Sequence, residues 1–291
     1  SVLADSTWNN ARIVTMRLEY PRIIHSQFKT YGTLRSNSSS SRAIPTARML
    51  SVTEAFEPYI PDDYVANGRG MGGTKLLEGE QAAEAKAVVT QLYQIAAAAV
   101  QKLADIGVHK QHANRYLEPW SMISVIATGS IIGWKHLIYQ RLRHDGSVQP
   151  EFVELAQAID TAIAKSRTAY RKWHVPFVQE GAEPTRKDVL YACARAARES
   201  YRREEVSDDF LQRVSSLWDE GHLTPFVHCL FWLDPMKLPD VIGNPITTAF
   251  MQRGAGDQST IGAGTEVRWR QVRHIGLERD LDDALAYALK S

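Results

Sequence analysis

The 291-residue sequence predicts an α+β fold, with a strand near the start and helix dominating the middle. Three observations carry that expectation. Apolar and polar residues alternate from Ile13 to Tyr20, a long run after Gly79 contains neither Gly nor Pro, and the region beyond Val175 alternates helix-like stretches with proline-punctuated loops. No repeat period is visible, and the chain reads as one domain, 1–291, whose C-terminal half from about 175 completes the fold.

In the first element, Val14, Met16, Leu18 and Tyr20 alternate with Thr15, Arg17 and Glu19, the period-2 pattern of a half-buried strand, and Pro21 ends it. An apolar group, Ile23, Ile24 and Phe28, leads into Ser36-Asn37-Ser38-Ser39-Ser40-Ser41. Composition alone reads this run as a flexible linker. Its flanks, a strand before it and Pro45 after it, favour an ordered loop of hydroxyls and amides of the kind that grips a phosphate or a sugar.

Residues 54–74 form a loop, with the glycine cluster Gly68-Arg69-Gly70-Met71-Gly72-Gly73 at its end. This is no P-loop, because Lys75 lacks the Gly-Lys-Ser/Thr frame and no buried strand precedes it. The spacing predicts a long helix over about 77–106 ended by Gly107, and a second over about 115–143 broken near Pro119 or Gly129. A third is opened by Pro150 and runs to about Lys172. Further helical stretches are expected at 187–204 and 208–220, among loops containing Pro225, Pro235, Pro239 and Pro245.

Lys+Arg total 34 against 33 Asp+Glu, a formal charge of +1. That balance excludes the broad basic surface needed to bind long nucleic acid through its phosphates. Two cysteines, Cys193 and Cys229, cannot build a disulfide framework or a cysteine-rich metal site, although a single bridge between them stays open. The longest apolar stretch, from Ile123 to Gly133, is far short of the roughly 20 residues that span a bilayer. The first residues carry neither a basic leader nor an apolar run. A soluble, cytoplasmic protein is the expectation.

Histidine offers little chemistry. His109 and His112 lie three apart but lack a third ligand nearby, so no metal site is expected. His222, His228 and Cys229 flank Thr224-Pro225-Phe226 without an acidic residue between them, so Cys229 reads as a buried apolar residue. The arginines are more telling. Arg42, Arg115 and Arg141 sit in otherwise neutral or apolar segments, where an unpaired guanidinium is expensive. Each calls for an anionic partner, either a structural carboxylate or a phosphate or pyrimidine imide that takes two parallel donors.

Several ordered segments carry a family resemblance. They are Leu18-Glu19-Tyr20-Pro21-Arg22-Ile23-Ile24-His25, Asn37 to Pro45, His109 to Pro119, Thr128-Gly129-Ser130 through Trp134 to Arg141, Gln149-Pro150-Glu151, Ala192 to Tyr201, and Gly221 to His228. Over nearly the whole chain the sequence resembles the long, phage-type branch of the flavin-dependent thymidylate synthases, a mixed sheet with long helices. Compact members carry R-H-R-x-x-S-x-N-E-x-S-x-R. Aligned on Arg42, this chain keeps Asn37, Ser40 and Arg42, but has Thr30-Tyr31-Gly32 for R-H-R, Arg35 for the first Ser and Ser38 for Glu.

The resemblance implies that Gln27, Asn37, Ser38, Ser40, Arg42, Arg115 and Arg141 hold the nucleotide. Arg141 would lie at the pyrimidine, where it serves catalysis, with Ser40 and Arg115 near the phosphate. Tyr31, Ser130, His136 and His228 would match positions that hold flavin. Those positions are the most altered, since Tyr31-Gly32 removes an imidazole and a guanidinium, Ser130 replaces an Asn, and Val227 interrupts the family's Pro-Phe-Glu-His. Family members move a methylene group from methylenetetrahydrofolate to C5 of dUMP and reduce it to methyl with electrons from FADH2. The resemblance therefore implies dTMP synthesis with methylenetetrahydrofolate, with FAD doubtful, in a homotetramer whose sites lie between subunits, in a host cytoplasm if the source is a phage. Two other outcomes stand beside it. Water could trap the methylene on dUMP or dCMP to give a 5-hydroxymethyl product without flavin, or the chain could be a non-catalytic nucleotide-binding relic.

Overall fold

The computed structural model describes residues 1–51, 57–69, 72–73, 75–143, 147–178, 181–198, 206–220, 224–232, 269–271, 283 and 286. Gly70, Met71, the 199–204 end of the expected helix, His222 and the prolines at 235, 239 and 245 lie outside them. The fold is α+β, with a five-stranded mixed sheet and long helices. The strands are β1 (Val2–Trp8), β2 (Ala11–Pro21), β3 (Arg35–Ser38), β4 (Met122–Ser130) and β5 (Ala169–Tyr170), in the order β3-β4-β2-β1-β5. Only β5 runs parallel to its neighbour, β1. Asn9 and Asn10, at φ 44° and 64°, make the two-residue hairpin turn between β1 and β2, where positive φ matches the strand twist.

The alternation in β2 separates the two faces of the sheet. Val14, Met16, Leu18 and Tyr20 join Ile123, Val125 and Ala127 of β4 in one core. Three helices cover this face, α1 (His25–Lys29), α5 (Ile131–Arg141) and α6 (Pro150–Lys165), contributing Phe28, Trp134, Leu137, Phe152 and Ile159. The buried Trp134 indole donates to the Val14 carbonyl at 3.1 Å, tying α5 to β2.

Nearer β3, α2 (Thr46–Leu50), α3 (Gly79–Asp105) and α4 (Lys110–Ala113) enclose a smaller cluster around Met49, Val100, Ala113 and Leu117. A second sheet, β6 (Trp173–His174), β7 (Leu230–Trp232) and β8 (Trp269–Gln271), is ordered β6-β7-β8. With α7 (Arg186–Ala197) and α8 (Asp208–Asp219) it builds the C-terminal cores, in which Cys193 and Cys229 are buried with their sulfurs 3.9 Å apart. Burial pushes the Cys193 thiol well up, which suits a packing residue and not a nucleophile.

Two expectations are corrected. The helix expected over 115–143 is a 3-10 helix, Asn114–Trp120, followed by β4 and only then α5. Ile123 to Thr128 is buried on both faces, and its mostly apolar sequence, interrupted by Ser124, lacks the alternation of a half-wet strand, so periodicity cannot assign it to strand or helix. The helix opened by Pro150 stops at Lys165, and β5 occupies part of its expected end. The serine run is ordered, passing from edge strand β3 into a 3-10 turn at Ser41–Ala43.

On the face away from α5, polar residues from distant segments meet in one buried network. Arg171 Nε donates to Ser6 Oγ at 2.9 Å, and Ser6 bonds His174 Nδ1 at 3.0 Å. His174 Nε2 bonds Thr15 at 2.7 Å, Thr15 bonds Thr128 at 2.6 Å, and Thr128 bonds His228 Nδ1 at 2.8 Å. A polarity in which each group donates to the next satisfies every bond and keeps both imidazoles neutral. Burial foremost, then the charge of Arg171, holds His174 well below the ordinary imidazole value.

Candidate functional site

Two clusters hold most of the residues singled out by the sequence. In the first, α1 places Gln27, the turn after it places Tyr31, and the last turn of α5 places Arg141, where helix carbonyls favour a cation. Arg141 Nε donates to the Tyr31 hydroxyl at 2.7 Å, and its Nη1 reaches Gln27 Oε1 at 3.5 Å. The guanidinium lies over the buried Phe152 ring, 4.2 Å from its centroid, and 5.3 Å from the centroid of Tyr31. His136, exposed on α5, faces Tyr31 edge-on with centroids 6.2 Å apart.

No carboxylate pairs with Arg141 among the described residues. Its charge is held by neutral oxygens and aromatic faces, and remains available to a ligand. Hydrogen-bond direction follows from the guanidinium, which can only donate. Gln27 therefore turns its carbonyl to Arg141 and its amide nitrogen to Gln149 Oε1, which accepts at 2.9 Å. The guanidinium has N–H groups beyond its bonds to Tyr31 and Gln27, so the rim offers donors from Arg141.

The second cluster surrounds the 3-10 turn Ser41–Ala43. Ser39 fixes the approach, its N–H donating to Ser124 O at 2.8 Å and its Oγ accepting from Ser124 N at 3.1 Å. Asn114, fully buried, donates to the carbonyls of Ser41 and Ile44 at 2.8 and 2.9 Å. Ser41 donates to Glu118 at 2.5 Å, and Lys110 Nζ donates to Ala43 O at 3.2 Å. Glu118 also accepts from Arg115 at 3.1 Å and lies 3.9 Å from Arg22. Burial foremost lowers the Arg22 pKa, and nearby Glu118 opposes that shift. Arg42 projects from the clamped turn into solvent without a partner among the described residues. Arg22 and Arg115 share the Glu118 carboxylate while Lys110 and Arg42 sit at the same turn, an excess of positive charge suited to a phosphate.

The structure therefore brings Arg42 and Arg115 to adjoining positions, and Gln27, Tyr31, His136 and Arg141 to another. Asn37 and Ser38 lie on edge strand β3, and Ser40 leads into the clamped turn. Ser130 caps α5, its Oγ accepting from Gly133 N at 3.2 Å. His228 is buried in the polar network on the opposite face of the sheet from Tyr31. Tyr31 and His136 share one face, but Ser130 is spent as the cap of α5 and His228 is buried across the sheet, so the four residues matched to flavin positions do not line one flavin surface of the protomer. His109 accepts from Gln111 N at 3.3 Å as the N-cap of α4.

Asn114, Glu118, Arg22, Gln149 and Phe152 belong to these clusters and were not singled out by the sequence. Glu118 had a readable signal, a carboxylate three residues after Arg115 in a helical turn. For Gln149 and Phe152, flanking the proline that opens α6, no spacing signal pointed to Arg141.

No family model matches the chain, and no curated protein matches it. Similar solved structures include the UMP/dUMP methylase PolB from Streptomyces cacaoi bound with 5-Br UMP, at 19% identity and a TM-score of 0.43, covering 53% of this chain and 69% of that one. The same enzyme bound with 5-Br dUMP gives 17% identity and a TM-score of 0.40, covering 53% of this chain and 66% of that one.

Proposed function

We propose that the chain binds a deoxyuridine monophosphate and transfers a one-carbon unit to C5 of its base. The observation that carries this reading is Arg141, a guanidinium seated on Phe152 and held by Tyr31 and Gln27 with no carboxylate among the described residues to neutralise it. Negative charge develops on the pyrimidine as C5 becomes nucleophilic, and a fixed cation at the ring stabilises it, often the largest single catalytic contribution. No protein nucleophile is required of Cys229, which is buried in an apolar cluster.

Base choice follows from the donor rim. Uracil offers carbonyl oxygens at positions 2 and 4, whereas cytosine offers an amine at position 4 that would meet the N–H groups of Arg141, which can only donate. Uracil is therefore the base this rim accepts, and the substrate is dUMP. The Arg42–Arg115 cluster is suited to the phosphate. In a homotetramer with sites between subunits, as the resemblance implies, one protomer's phosphate cluster would meet a neighbour's Arg141.

The one-carbon donor in this reading is methylenetetrahydrofolate. C5 attacks the methylene carbon as the first of its two folate C–N bonds breaks, the C5 proton is lost, and the second folate nitrogen then leaves with the electrons of its C–N bond, giving an exocyclic methylene on the pyrimidine. A methyl product, dTMP, needs two further electrons. A second reading, a 5-hydroxymethyl product, is favoured by the engagement of Tyr31 with Arg141 and the burial of His228, since addition of water to the methylene needs no electrons.

The test is incubation of the purified chain with dUMP or dCMP and methylenetetrahydrofolate, with and without FAD and NADPH, and product identification by mass. Conversion of dUMP and not dCMP is expected, and its loss in Arg141→Ala. Binding of dUMP without turnover under every condition would instead identify a relic.

A further inference from the structure

Glu118 occupies the middle of the cationic cluster around the turn Ser41–Ala43. Its Oε1 accepts from Ser41 Oγ at 2.5 Å and from Arg115 Nη1 at 3.1 Å, its Oε2 lies 3.4 Å from the same arginine nitrogen, and Arg22 Nη1 stands 3.9 Å away. A hydroxyl and two guanidiniums gathered on one carboxylate are also the donor set that grips a phosphate monoester. Glu118 fills that set with an anion of the chain's own.

The donors keep their places without it. Arg22 Nε donates to Ser121 Oγ at 3.0 Å and its Nη2 to the Ser39 carbonyl at 3.4 Å, neutral oxygens that hold the cation whether or not the carboxylate is there. Buried Asn114 fixes the turn from beneath through the carbonyls of Ser41 and Ile44. The pair with Arg115 is easily broken, because that arginine side chain is 53% exposed and an i,i+3 pair so wet contributes little. The Glu118 side chain is itself 22% exposed and borders solvent into which it can turn. Burial first, and the charge of Arg115 among the further causes, lower the Arg22 pKa, so the two guanidiniums repel and the place between them favours an anion.

We infer that Glu118 is a displaceable internal anion. It neutralises Arg22 and Arg115 in the free protein, and the phosphate of the nucleotide takes over Ser41, Arg22 and Arg115 as the carboxylate turns out to solvent. This role rests on the reading of the cluster as the phosphate site, and adds to it a residue that sets affinity by competing with the ligand. The competition lowers the affinity of every phosphate ligand by the fraction of the protein in which Glu118 is already turned out. A nucleoside without a phosphate leaves Glu118 in place and is untouched by it.

The test is isothermal titration of the full chain with dUMP and with deoxyuridine, in wild type and in Glu118→Gln. The substitution keeps the shape and an oxygen for Ser41 and removes the charge. Binding of dUMP is expected to tighten about three- to tenfold while that of deoxyuridine stays level. Unchanged or weaker dUMP binding by the variant, with far-UV circular dichroism as its folding control, would overturn the role of Glu118 and leave the phosphate site standing, and so would equal tightening of deoxyuridine. A wild-type protein that binds dUMP no better than deoxyuridine would instead overturn the phosphate site, and this role with it.

A crystal structure of the wild-type protein with dUMP tests the same displacement without any substitution. The Ser41 hydroxyl and Arg115 are expected on phosphate oxygens, with Glu118 turned away. A phosphate bound while Glu118 stays on Ser41 would overturn the inference.

Discussion

Replacing Tyr31 by Phe removes one oxygen and little else. That oxygen accepts from Arg141 Nε at 2.7 Å, while the ring that would remain still packs 6.2 Å from Phe152 and beside the guanidinium. A hydrogen bond to a charged group contributes about 1.5–3 kcal/mol net, and because Arg141 is only half-buried the lower end applies. If Tyr31 positions Arg141 for the base, about 1.4 kcal/mol corresponds to a tenfold weaker dissociation constant for dUMP. Isothermal titration of wild type and Tyr31→Phe with dUMP reads this directly, and urea melts on the same samples separate it from lost stability. An unchanged affinity in the folded variant would refute the claim that this hydroxyl sets Arg141 for binding.

Other predictions concern the fold and the rim. Thr15→Val leaves two buried partners, Thr128 and His174, short of a bond each, and should cost about 2–5 kcal/mol in urea unfolding. Gly129→Ala would drive a Cβ into Leu34 and the Thr33 carbonyl, and a loss of about 1–3 kcal/mol is expected by the same measurement. Gln149→Glu puts a carboxylate beside the amide that holds Arg141, giving the guanidinium an internal anion, and titration should show weaker binding of dUMP. Acid should destabilise the protein. His25 is held down to about 4, first by burial and then by the charges of Arg22 and Lys29, and His174 is lowered in the same sense. An unfolded imidazole takes its proton near about 6.5, so the unfolded chain binds more protons as pH falls from there towards 4, and stability falls through that window. A urea midpoint that stays level from pH 7 to pH 4.5 would contradict this.

What the sequence discloses depends on how many faces of an element are wet. β2 alternates because its helix face is uniformly apolar while Thr15, Arg17 and Glu19 are polar, and the pattern is plain. α3 is plain because only Val100 of it is fully buried and it is rich in good helix formers. β4 hides because it is buried on both sides. β1 hides for a different reason. Its buried Asp5 and Ser6 look like surface residues until Arg12 binds Asp5 at 2.9 and 2.6 Å and His174 meets Ser6 across 168 positions. The same limit applies to the site. That Arg141 needed partners was legible from its neutral surroundings, but that they are a phenol and an amide from α1 and the turn after it and a phenyl ring from α6 was not. Arg115 shows the opposite case, since its partner Glu118 stood three residues away.

The central claim is that Arg141 activates C5 of uracil. Tritium placed at C5 of dUMP reports that step whatever the product, because the C5 hydrogen must leave for either methyl or hydroxymethyl to form. The account predicts tritium release into water that requires methylenetetrahydrofolate and vanishes in Arg141→Ala. Retention of the label by the folded, dUMP-bound wild-type protein in the presence of the folate and reduced flavin would contradict it.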